Sequence, residues 1–228
     1  MTNAVSSKTH FLKGVLPILA ASALWALGYF ARKVLLRDIP PLTLIGLLSA
    51  LVAVVSFFIF RLKLLQLWQR FKAFKYRFIA LSLTGVFIGS TLMLVGLDHL
   101  DLGTATLLEK LEPVFTAILA AVFLREKLAL KLIPYCVLAF VSSYFISVSH
   151  PFALHEAKLD VLGVPAVAGA AFFWGVSSVL GRALVVAGVS AAEMTFMRFA
   201  ITGLLALPWL FVMKEGFPAR DGAGQVFL

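Results

Sequence analysis

The stretch "TATLLEKLEPVFTAILAAVF", residues 104–123, decides how the chain is read. Apart from Glu109, Lys110 and Glu112 it is dominated by residues that avoid water, over a length set by a membrane rather than by a soluble core. A bilayer-spanning helix needs roughly 17–25 predominantly apolar residues. This run ends near 124, and comparable runs flank it at about 14–32, 42–60, 78–97, 132–149, 162–181 and 191–213. The composition agrees, since 61% of the 228 residues are hydrophobic and 14% are charged, where soluble domains carry about 25% charged residues. None of the runs alternates with period 2, and a helix satisfies its own backbone hydrogen bonds in lipid. The expected fold class is therefore an all-α integral membrane protein with about seven transmembrane helices. The first run is too long, and too closely followed by the second, to be a cleaved signal peptide.

The rest of the composition excludes several function classes. Cys136 is the single cysteine, so no intrachain disulfide or thiolate metal set can form, and it reads as a small buried apolar residue. His10, His99, His150 and His155 sit in expected loops or tails without metal-ligand spacing. There is no G-x-S-x-G and no Gly-rich phosphate loop, so no enzyme, cofactor or metal site is expected. The net charge of +9 does not imply nucleic acid, because in a membrane chain basic residues report topology. With the N-terminus inside, twelve Lys and Arg fall on the inner side, six of them between 61 and 77, and six fall on the outer side. That bias gives an orientation with the N-terminus in the cytoplasm. The segment "RLKLLQLWQRFKAFKYR", 61–77, is basic and amphipathic, suited to the inner surface with anionic lipid as its partner.

Sliding the chain by 149 positions exposes a repeat. Gly14 falls on Gly163, Ala21 on Ala170, Trp25 on Trp174 and Lys33 on Arg182, so "ASALWALGYFARK" mirrors "AAFFWGVSSVLGR". Five expected helices separate the copies, and an odd number reverses their orientation, the inverted-repeat arrangement of many secondary transporters. The expected organisation is a first five-helix repeat over 1–150 and the start of a second over 160–228. The second holds two helices and stops at "FPARDGAGQVFL", so the chain looks cut short. A cavity left open by that shortfall would need a second subunit, such as a homodimer partner, if the chain ends at Leu228.

The charges within the runs are the candidate site. An ionisable group in the hydrocarbon core costs ~2.5–3.5 kcal/mol on insertion scales, so such groups face a cavity or a partner. Glu109 and Glu112 are i, i+3 neighbours on one helix face, and Pro113 removes the amide that would bond to the Glu109 carbonyl. Two carboxylates so placed repel, which is the arrangement a proton-coupled carrier needs. The alternative is a wet position near the outer surface, or pairing with Lys110. Arg198 is deep in the seventh run, where the repeat has Ser49; it meets an anionic group or a glutamate, or else snorkels to the interface. Trp25 and Trp174 lie mid-helix, away from the interfacial belt, with Tyr29 one turn from Trp25; they line a cavity or pack in the core.

These residues carry a family resemblance. "TATLLEKLEPVFTAILAAVFLREKL" resembles the fourth-helix signature of the EamA-like transporters in the drug/metabolite transporter superfamily, with its Pro-Val-Phe core and, a dozen residues on, Glu126. "LWALGYFARK" and "FWGVSSVLGR" are similar to that family's repeated first-helix motif, and "MTFMRF" to the Arg-Phe pair of its second helix. The resemblance implies ten helices in two inverted repeats around a central cavity, and export of amino acids, metabolites or toxic compounds. It carries Trp25, Pro113, Glu126, Trp174 and Arg198, while Ser49, Glu109 and Glu112 depart from the family pattern. The expected function is an inner-membrane secondary transporter that exports a small organic solute by alternating access. Trp25, Tyr29, Glu109, Glu112, Pro113, Trp174 and Arg198 are its cavity, and protons are a candidate coupling ion. The other class of reading is a non-transporting membrane subunit or an inactive truncated product.

Overall fold

The computed structural model of the chain describes residues 2–124 and 161–212, with residues 133, 134, 136–138 and 141. The fifth apolar run, Glu126, His150, His155 and the tail from 213 therefore lie largely or wholly outside the described residues. Among the described residues there is no strand. The helices are α1 (Thr2–Leu35), α2 (Pro41–Ile59), α3 (Leu64–Leu81), a π-helical segment π1 (Ser82–Gly89), α4 (Ser90–His99), α5 (Leu102–Glu109), α6 (Glu112–Phe123), α7 (Gly163–Val186) and α8 (Ala191–Val212). Gly14–Leu35, Pro41–Ile59, the continuous rod Leu64–His99 and Gly163–Val186 are each long and apolar enough to cross a membrane.

Local chemistry sets the boundaries. Pro40 and Pro41 open α2, where a missing amide costs nothing because the first turn has no intrahelical acceptor for it. Asp101 caps α5, its side chain accepting from the Thr104 amide at 2.9 Å. The basic stretch 61–77 is not a separate helix but the start of the rod that continues through π1 into α4, bent at Phe74 (φ −127°, ψ 23°).

Two apolar clusters mark the two ends of the bundle. One gathers Leu36, Leu44, Leu97, Leu100 and Val167, which places the end of α1, the start of α2, the end of α4 and the start of α7 together. The other gathers Leu67, Leu184, Val189 and Met197, with Phe57 packed against it. The end of α2, the start of α3, the end of α7 and the start of α8 meet there. Accordingly α7 and α8 run opposite to α1 and α2, at the spacing of the sequence repeat. The closest pairing is α2 against α8, with Gly46 facing Ala206, Ala50 facing Gly203 and Phe57 facing Phe196. Small residues let these backbones approach, which is what holds helices together in lipid.

Candidate functional site

The sequence reads 104–124 as one helix, and the structure breaks it in two. Pro113 has no amide, so the Glu109 carbonyl loses its i+4 donor and the helix cannot pass through unchanged. Instead the Lys110 and Leu111 amides turn back to the carbonyls of Leu107 and Leu108 at 3.1 and 3.0 Å, a tighter i to i−3 pattern. Glu109 thus ends α5 and Glu112 begins α6, with exposed Lys110 between them. They no longer share a helical face, yet remain close enough to interact electrostatically. Glu112 stands in the first turn of α6, where a helix N-terminus favours negative charge.

Beside Glu109 stands Tyr29 of α1. Tyr29 is 3% exposed and interacts electrostatically with Glu109, while its Oη has no hydrogen-bond partner among the described residues. Trp25 meets Tyr29 edge-on at 6.2 Å between ring centroids, and Arg32 lies 5.6 Å from the Tyr29 ring centroid. Lys33 fixes this part of α1, its Nζ donating to the carbonyls of Leu97 and Leu100 at 2.6 Å each. Those carbonyls belong to the end of α4, where helix acceptors run out of partners.

On the other side of the break, Glu112 Oε1 accepts from Ser178 Oγ of α7 at 3.3 Å. Arg198 of α8 interacts with Glu112 electrostatically without contact ion pairing, and its Nε is buried without a partner among the described residues. The same guanidinium lies 5.2 Å from the Phe199 ring centroid. Its repeat counterpart Ser49 is buried on α2, so matched repeat positions hold different chemistry. The break thus leaves Glu109 beside Tyr29 and turns Glu112 to Ser178, with Arg198 within electrostatic reach of Glu112.

The two tryptophans part company. Trp25 is 57% exposed on α1, whereas Trp174 Nε1 donates to the Gly85 carbonyl of π1 at 2.8 Å. A side chain added at Gly89 would come within 2.8 Å of the Trp174 indole, so the indole is packed onto the π segment. Trp174→Phe removes that one hydrogen bond, worth about 1 kcal/mol. A fall of about 2–4 °C in the melting midpoint is expected for a chain of this size. An unchanged midpoint in a detergent melting assay contradicts the structural role of the bond.

Sequence reasoning missed Lys33, Ser178 and Gly85 as contacts, because each acts through a partner 60 or more residues away with no local signature. It also missed Glu193, which "SAAE", 190–193, signals as a capping box. Cys136 is a free, partly buried thiol. Among the described residues no group of His, Cys, Asp and Glu is arranged to hold a metal ion.

The model of the EamA-like transporter family matches residues 12–148, more than half of the chain. The chain belongs to the EamA-like transporter family. As such it is an all-α, multi-pass membrane transporter of the drug/metabolite transporter superfamily. No curated protein and no solved structure matches the chain. The matched span holds Trp25, Tyr29 and the α5–α6 break, while Trp174 and Arg198 lie beyond it.

Proposed function

We propose that this EamA-like transporter is an inner-membrane secondary carrier that exports a small organic solute by alternating access. The observation that carries the reading is the α5–α6 break, where Glu109 and Glu112 stand at two helix ends, with Tyr29, whose buried hydroxyl has no hydrogen-bond partner among the described residues, beside Glu109 and the half-buried Arg198 within electrostatic reach of Glu112. Broken helices that aim their ends at a solute are how transporter folds place polar groups at membrane depth. Trp25, Tyr29, Glu109, Glu112, Pro113, Trp174 and Arg198 define the solute path, and the two carboxylates accept the coupling proton. Residues 1–150 and 160–228 act as two inverted repeats; the antiparallel course of α1 against α7, and of α2 against α8, supports this. The N-terminus is cytoplasmic, and the basic stretch 61–77 meets anionic lipid on that side.

The test is flux through the purified chain in proteoliposomes under an imposed pH gradient, with a panel of amino acids, metabolites and organic cations. At least one solute is expected to collapse the gradient faster than in protein-free vesicles. If no solute moves and none alters proton movement, the carrier reading fails and a non-transporting membrane subunit takes its place.

A further inference from the structure

Glu193 is 3% exposed, and its two carboxylate oxygens face different elements. Oε2 accepts from the amide and the hydroxyl of Ser190 at 2.8 Å each, and Ser190 Oγ in turn accepts from the Glu193 amide at 3.2 Å. That closes the capping box at the start of α8 and needs only one oxygen. Oε1 is given to α3 instead: Gln66 Nε2 donates to it at 3.0 Å, and Arg70 Nε lies 3.5 Å away. Behind these polar groups, Leu67 of α3 and Met197 of α8 pack in the same apolar cluster.

The α3 side of this contact is constructed differently from the α8 side. Arg70 is 36% exposed and Gln66 is exposed, so water can replace their bonds to Glu193 at small cost. One turn beyond Arg70 the helix departs from helical geometry at Phe74, a hinge for the segment that carries Gln66 and Arg70. The opposite face of that segment carries exposed Trp68, with Lys72 Nζ 5.1 Å from its ring, and just beyond the hinge Lys75 Nζ lies 4.8 Å from the ring of exposed Tyr76. Amphipathic aromatic and lysine pairs of this kind sit at the level of lipid headgroups. One face of the segment thus suits the membrane surface and the other holds α8.

We propose that Gln66 and Arg70 of α3, with Glu193 of α8, form a lock that shuts the inner end of the bundle between its two halves. The lock opens as the start of α3 swings about Phe74. It rests on the alternating-access reading, in which the inner end must open once in each cycle. Glu193 is then a positioning residue whose capping oxygen holds α8 and whose second oxygen holds the closed state.

The test reads closure without transport. Met197 is buried on α8 in the apolar cluster that holds Leu67 of α3, so a swing of the start of α3 away from α8 uncovers it. In a Cys136→Ser background, Met197→Cys is labelled by a membrane-impermeant maleimide in inside-out vesicles. Arg70→Gln leaves the capping box intact and is expected to speed labelling about fivefold, the effect of losing ~1 kcal/mol from the closed state. Glu193→Gln should do the same and the double variant no more, because both break one contact, and Arg70→Lys should restore slow labelling. Labelling of Arg70→Gln at the parental rate overturns the lock, and an effect confined to Glu193→Gln assigns the carboxylate to capping alone. No solute is present, so absent flux in the unaltered protein counts against the carrier reading and leaves the lock to the labelling result.

Discussion

Glu112→Gln is expected to abolish solute-dependent proton movement and the solute flux coupled to it, because an amide neither titrates nor carries the charge of the carboxylate. The amount of folded protein should not change. Glutamine keeps the length of the side chain and an oxygen able to accept from Ser178 Oγ, the 3.3 Å contact that joins α6 to α7. It removes the negative charge that the first turn of α6 favours and that Arg198 feels. It also removes the only atom of that side chain able to take up and release a proton. Proteoliposomes loaded with a pH-sensitive dye separate the two consequences: proton movement should stop responding to solute, while size-exclusion behaviour in detergent matches the parent. Unchanged flux removes Glu112 from the mechanism and returns the α5–α6 break to a purely structural role.

The fold class was legible because it rests on quantities that do not depend on tertiary contacts. The apolar runs at 14–32, 42–60 and 162–181 correspond to α1, α2 and α7, and a run of that length admits few other fates. Pro113 was legible as an irregularity, but its effect was underestimated. With the charges of Glu109, Lys110 and Glu112 clustered at the lost hydrogen bond, ending one helix and starting another gives each polar group an outlet, and a continuous helix does not. The continuity of 61–77 with the third span was hidden for the opposite reason. Its basic pattern ends at Arg77 and the apolar run begins at Phe78, yet nothing at that junction breaks a helix, and the bend comes earlier, at Phe74. Most opaque were the long-range partners. Trp174 finding a π-helical carbonyl, or Lys33 the end of α4, depends on which helices are neighbours, and no spacing within either segment encodes that.

Gly46→Leu should cause the largest loss of folded protein, because it strikes the pairing of α2 with α8. A first side-chain carbon at Gly46 would lie 2.8 Å from Cβ of Ala206, and one at Gly203 would lie 3.4 Å from the Ala50 backbone nitrogen. Ser49 of α2 and Thr202 of α8 are fully buried, and Thr202 Oγ1 donates to the Ser82 carbonyl of π1 at 3.4 Å. In lipid no hydrophobic gain draws two helices together, so their association depends on backbone approach between small residues and on such polar contacts. Leucine forces α8 outward and weakens both at once. Overpacking of this kind costs about 1–3 kcal/mol, and at ~2–4 °C per kcal/mol the melting midpoint should drop by roughly 2–12 °C. The control is Gly28→Leu on α1, the same substitution at a helix position where an added side chain meets nothing within 4 Å. There the midpoint should hold or rise slightly, since leucine is the better helix former. If Gly46→Leu melts with Gly28→Leu, close packing of α2 on α8 is not what unites the two ends of the chain. The position of Arg198, which α8 carries toward Glu112, would then need another support.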